Sequence, residues 1–216
     1  MNTGRDNNWL APLTGTLFVV LAIISFMVGG EPPDIDKPAQ EIVDHYVDDK
    51  DRIMFGVLLG GIATTLFVFF GGYVRRVLQD AQTERSMLPT VAFAGVIIFA
   101  VGLAIDGTIS ITLAETADDI DPTAVQALAA LWQNDFIPFA IGLQVFFLAL
   151  GLSVVRTGAI PKWIGWIAIL LAVVAVTPVG FAAFIGGGLL IIALSVVLTM
   201  RARSTPSRAP EPGGPA

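Results

Sequence analysis

Apolar residues gather in long runs separated by short polar stretches. A bilayer core about 30 Å thick is crossed by about 20 apolar residues in a helix, so each run is a candidate span. The first covers Trp9 to Gly30 and carries no charge. The second covers Ile53 to Val74 and closes on Arg75 and Arg76. The third runs from Leu88 to about Leu113 with a single acid, Asp106, inside it. The fourth is Phe136 to Val155, closed by Arg156. After Lys162 come 38 residues, Trp163 to Met200, without a charge. As one helix they would be about 57 Å long, twice a bilayer. Thr177-Pro178-Val179-Gly180 interrupts them, and Pro with Gly marks a turn. The pattern therefore predicts an all-α bundle with spans near 9–30, 53–74, 88–113, 136–155, 163–177 and 180–200.

Charge orients these spans. Arg5, Arg75, Arg76, Arg85, Arg156, Lys162, Arg201, Arg203 and Arg208 fall on one set of connections, nine of the twelve basic residues. The opposite connections are acidic: residues 31–52 carry eight acids against Lys37, Lys50 and Arg52, and 114–135 carry five acids and no base. Basic residues accumulate on cytoplasmic loops, which predicts six spans with both termini inside. The tail arginines stay inside only if 163–200 is a hairpin. Trp9, Tyr73, Trp163 and Trp166 fall at inner helix ends and Trp132 at an outer one, as interfacial aromatics do. The first run is longer than the apolar region of a signal peptide and has no Ala-x-Ala-like exit, so it is expected to stay as a span.

Both outer segments are long enough to fold. Pro32-Pro33 is extended, and Pro38 suits the first turn of a helix over Ala39 to Asp51 with Ile42, Val43, Tyr46 and Val47 on one stripe. Asp121-Pro122-Thr123 starts a second helix, with Val125, Leu128, Ala129 and Trp132 on one face. Both are expected to be short amphipathic helices lying on the outer surface or capping the bundle. Residues 201–216, rich in Pro, Gly and Arg, are expected to be a disordered cytoplasmic tail.

Composition narrows the class further. The 216 residues are 55% hydrophobic and 14% charged, with a net charge of −6, which excludes a soluble domain and a nucleic-acid binder. There is no cysteine for a disulfide, thiolate metal site or thiol catalysis. No histidine or lysine lies in a span, which removes a bis-histidine haem and a retinal Schiff base. No H-E-x-x-H, G-x-S-x-G or G-x-x-x-x-G-K-[ST] occurs, so no enzyme and no cofactor is expected. Asp44 with Asp48 and His45 with Asp49 share helix faces at i,i+4, but no calcium-loop pattern accompanies them. They are expected to be a solvated acidic face without a metal, and His45 an ordinary surface residue.

Polar groups within the spans are the remaining candidates, since each is costly there. They are Thr64, Thr65, Asp106, Thr108, Ser110, Thr112, Asn134, Asp135, Gln144 and Thr177. Asp106, Asn134, Asp135 and Gln144 are placed to form one outward-facing polar cluster. The simpler expectation is that Asp106 marks the end of its helix and is substantially exposed, with Gln144 bonding across helices. Gly56 and Gly60 form a G-x-x-x-G that lets two helices approach, the partner being within the chain or in a second copy. Gly186-Gly187-Gly188 is expected to act likewise.

The stretch Pro33-Asp34-Ile35-Asp36 with Glu41-Ile42-Val43-Asp44-His45-Tyr46, and the loop Arg156 to Trp166, resemble a widespread group of bacterial six-helix integral membrane proteins of unknown function. The resemblance covers most of residues 31–175 and implies a multi-pass protein of the cell membrane. It carries over no catalytic or binding residue. Two function classes stay open: a non-enzymatic envelope or accessory protein acting through contacts, and a small transporter or channel using the outer polar cluster. The lipid bilayer is the one partner implied; a membrane-protein partner or a homo-oligomer is left open.

Overall fold

The computed structural model describes residues 10–82, 86–175, 177 and 180–204. Arg5, Trp9, Arg85, Pro178, Val179 and Arg208 lie outside them. The described residues form eight helices: α1 (Leu13–Gly29), α2 (Ala39–Asp48), α3 (Lys50–Asp80), α4 (Leu88–Thr116), α5 (Pro122–Gln133), α6 (Ile137–Thr157), α7 (Lys162–Val174) and α8 (Phe181–Ser204). Four apolar helical segments are long enough to cross a membrane: Lys50–Asp80, Leu88–Thr116, Pro122–Thr157 and Phe181–Arg203. Leu13–Gly29 and Lys162–Val174 are apolar but shorter. The architecture is that of a helical membrane protein.

The apolar helices pack as a closed ring in the order α1, α3, α4, α6, α7, α8, with α8 returning to α1. Glycines set the seams. A methyl group at Gly56 would lie 3.0 Å from Gly29 Cα, so the G-x-x-x-G seats α1 of the same chain. Ser25 Oγ donates to the Gly56 carbonyl at 2.8 Å across that seam. The triple glycine faces three neighbours: Leu171 of α7, the Phe147 ring of α6 and Val19 of α1. Two seams had no signature in the sequence. Gly95 and Gly142 bring the α4 and α6 backbones together, and Gly151 meets the Gly165 carbonyl between α6 and α7.

The uncharged 163–200 stretch is broken as expected. α7 ends at Val174, the Gly180 N–H donates to the Thr177 carbonyl at 2.8 Å, and α8 begins at Phe181. At the other end of α7, Gly158 adopts φ +67° and Pro161 precedes the first helical residue, so the chain turns tightly between α6 and α7. α8 runs to Ser204, four residues into the stretch expected to be disordered, because Arg201 and Arg203 continue its last turn. The rest of that tail lies outside the described residues.

Two ends of the bundle differ sharply. The basic end gathers Arg75, Arg76, Arg156, Lys162, Arg201 and Arg203, and Arg201 donates to the Ala159 carbonyl there. The opposite end is closed by α2 and α5, which pack on each other over a small core of Ile42, Val43, Tyr46, Ile53, Val125 and Ala129. This is a cap on the bundle, not a pair of helices lying apart on its surface. α2 stops at Asp48 instead of Asp51, and Val47 turns outward at 41% exposure, so only three of the four stripe residues are buried. The strap 31–38 is held by α5: Gln126 Nε2 donates to the Ile35 carbonyl at 2.7 Å and Gln133 Nε2 to that of Pro33 at 3.3 Å.

Candidate functional site

Beneath the cap, between α1, α3 and α4, lies a half-open cavity of about 490 Å³, with Phe26, Gly61, Ala104 and Thr108 exposed along its rim. Small residues on three helices open it: Ala22 and Ser25 on α1, Gly60 and Ala63 on α3, Ala104 and Gly107 on α4. Phe18 forms its floor and stacks on the fully buried Phe67, ring centroids 4.4 Å apart and planes 25° apart. Phe67 in turn meets Phe70, Phe99 and Phe146 with centroids 6.4, 5.4 and 5.8 Å away. The ring is therefore open under the cap and filled with phenylalanine below it.

Asp106 lines this cavity. The expectation that it is substantially exposed is corrected: it is half-buried, and α2 and α5 fold over it. Nor does it mark the end of its helix: α4 runs ten residues further, to Thr116, and the cap covers that end. His45 and Tyr46 of α2 and Trp132 of α5 complete the polar wall. The Trp132 indole Nε1 is buried without a hydrogen-bond partner and lies toward the Asp106 carboxylate. Trp132 thus faces inward in place of anchoring an interface.

Tyr46 is only 4% exposed. Burial first, and the nearby Asp106 carboxylate second, push its hydroxyl up to about 12, so it stays protonated at neutral pH. His45 is likewise drawn in, correcting its reading as a surface residue. Its Nδ1 lies 3.2 Å from Asp49 Oδ2, and Arg52 Nη2 sits 3.1 Å from the same oxygen. Burial lowers the His45 pKa, more than Asp49 raises it, and Arg52 lowers it further. The ring is therefore held toward its neutral form.

The predicted cluster is brought together only in part. Asp135 faces Asp106 closely enough to act on its charge, and its Oδ2 is buried without a hydrogen-bond partner. Asn134 is exposed and spends its amide on the Ala130 carbonyl at 2.7 Å. Gln144 is half-buried on α6 and does not line the cavity. The hydroxyls along α3 and α4 are turned back onto their own helices. Thr64 donates to Gly60, Thr108 to Ala104, Ser110 to Asp106 and Thr112 to Thr108, at 2.7 to 3.0 Å. His45, Tyr46 and Trp132 were missed as site residues. The amphipathic stripes held the signal, since Tyr46 and Trp132 are the two members with a polar tip.

Asp44 and Asp48 are exposed, and among the described residues no group of three or more His, Cys, Asp or Glu side chains is placed to hold a metal. The chain finds no match among protein-family models, curated proteins or solved structures. The resemblance stated above therefore stands on its motifs alone.

Proposed function

We propose that this is a non-enzymatic, six-span protein of the cell membrane, with both termini cytoplasmic, that binds a small ligand in the cavity under its outer cap. The observation that carries the reading is the half-buried Asp106 carboxylate in a 490 Å³ cavity, within the ~300–1,000 Å³ range of small-molecule sites. A carboxylate at membrane depth is costly and marks a functional position by default. The cavity moves the reading from an accessory protein acting only through contacts toward a binding protein, either a sensor or one stage of a carrier. The phenylalanine floor disfavours an open channel. Six spans are supported by the ring of six apolar helices and by the basic end set against an acidic cap.

Orientation is tested by single cysteines in this cysteine-free chain. At positions 44 and 118 they should react with an impermeant maleimide in intact cells, and at 80 they should not. Labelling at 80 overturns the orientation. Binding is tested by thermal-shift screening of the purified protein against its Asp106→Asn variant. Ligands that stabilise only the wild type support the reading, and a screen with none contradicts it.

A further inference from the structure

We propose that the cavity under the cap binds a small organic ammonium ion carrying an apolar group. This deepens the ligand-cavity reading above and rests on it. The first argument is the balance of donors and acceptors. Ser25, Thr64, Thr108 and Ser110 all line the cavity, and each hydroxyl hydrogen is spent on a backbone carbonyl. What these groups leave to an occupant is lone pairs. Asp106 adds a carboxyl group, the unpartnered Trp132 Nε1–H lies toward that group, and neither lysine nor arginine lines the space. Such a wall suits a ligand that donates hydrogen bonds and carries positive charge.

The second argument is independent of that carboxylate. Tyr46 is 4% exposed and lines the cavity, yet its hydroxyl makes no hydrogen bond within the protein. Its oxygen is not sealed off in the protein, and where it opens onto the cavity it is free to bond an occupant. Four aromatic rings, Phe18, Phe26, Tyr46 and Trp132, stand around the same space. Ring faces attract cations and supply apolar contact to a hydrocarbon tail.

Competing cations are held off. The His45 Nδ1 is engaged with Asp49 at 3.2 Å, and Arg52 is paired with the same carboxylate at 3.1 Å. The acidic cap, with Asp44, Asp48, Asp118 and Asp119 exposed around it, raises the local concentration of cations at the mouth. An anionic ligand would meet both Asp106 and that field.

Calorimetry on the purified full chain tests the charge class with three probes of one size: 2-phenylethylammonium, 2-phenylethanol and 3-phenylpropionate. The ammonium should bind saturably and the other two at least about tenfold more weakly. Asp106→Asn should weaken ammonium binding by about tenfold or more, Tyr46→Phe by a few-fold, and Thr112→Val, outside the cavity, should leave it unchanged. Ala104→Trp, at an exposed position on the cavity wall, should block binding without touching the carboxylate, which keeps the test decisive if Asp106→Asn fails to fold. Equal binding of all three probes, or preference for the alcohol or the carboxylate lost in Ala104→Trp, overturns the ammonium assignment and leaves the cavity as a ligand site. Absence of saturable binding by any probe overturns both. Nanodiscs with and without phosphatidylethanolamine separate two sources of the same chemistry. Competition by that lipid assigns the site to its headgroup ammonium, and unchanged affinity assigns it to a free amine.

Discussion

The halves of one helical ring are built on opposite principles. Toward the basic end the ring is filled by Phe67, Phe70, Phe99, Phe146 and Phe147, four of them fully buried or nearly so and Phe99 at 7% exposure. Toward the cap the same helices α1, α3 and α4 present Ser, Gly and Ala, and the space between them stays open. Small residues do both jobs in this chain. Where a glycine faces a backbone, as Gly56 faces Gly29 or Gly95 faces α6, it closes a seam. Where it faces nothing, as Gly61 does on the cavity wall, it leaves room. The difference shows how side-chain size divides a bundle of nearly uniform hydropathy into a filled half and an open half.

Filling should matter most where it is densest. Phe67→Ala should cost about 3–5 kcal/mol, because the lost ring contacts Phe18, Phe70, Phe99 and Phe146 and nothing nearby can collapse into the gap. The unfolding midpoint in mild detergent measures this. A loss below about 1 kcal/mol would mean that the two halves pack alike.

Acid should separate the halves next. His45 has its folded pKa lowered from 6.5, so the unfolded chain binds the extra proton first. Its contribution is present in full above about pH 6.5 and is lost as pH falls from there through the lower folded value. Asp121 adds to the same trend further down. The Thr123 side chain and backbone both hydrogen-bond its carboxylate and hold its pKa below 3.8, so the support it gives the start of α5 disappears as pH falls through that lowered value. Hydrogen exchange, corrected for its intrinsic pH dependence and followed from pH 7 to pH 3, should quicken first in α2 and then in α5 and stay constant around Phe67. Uniform quickening would break the distinction between cap and core.

The smallest effect is expected on the outer face of α4. Thr112 is exposed and its hydroxyl donates only to the Thr108 carbonyl of its own helix at 2.8 Å. Thr112→Val should therefore shift stability by no more than about 0.5 kcal/mol and leave ligand affinity unchanged. A tenfold change in affinity would place Thr112 in the site.

Much of this plan is legible in the sequence, and the rest fails for physical reasons. Long apolar runs and Pro-Gly punctuation give the helices, since membrane-length hydrophobicity needs no tertiary context. The α4–α6 seam does not stand out, because Gly95 and Gly142 are single glycines whose pairing depends on how two distant helices cross. Asp106 is misjudged for a related reason. Its position along α4 follows from counting residues, but its burial depends on α2 and α5 folding back over the bundle. Gln126 and Gln133, which tie the strap to α5, carry no local signal at all, their acceptors lying 91 and 100 residues away.

The central claim is that water and ligand reach Asp106 from under the cap and are stopped at the phenylalanine floor. Ser110, one turn from Asp106 and lining the cavity, and Ala92, buried at 1% exposure among the core residues of the filled half, provide the two reporters. With no native cysteine, Ser110→Cys and Ala92→Cys can each be reacted with a small cationic methanethiosulfonate in nanodiscs. The account predicts rapid labelling at 110, slowed by 2-phenylethylammonium, and none at 92 while the protein stays folded. Equal labelling at both positions, or protection of 110 from the reagent without any ligand, would contradict it.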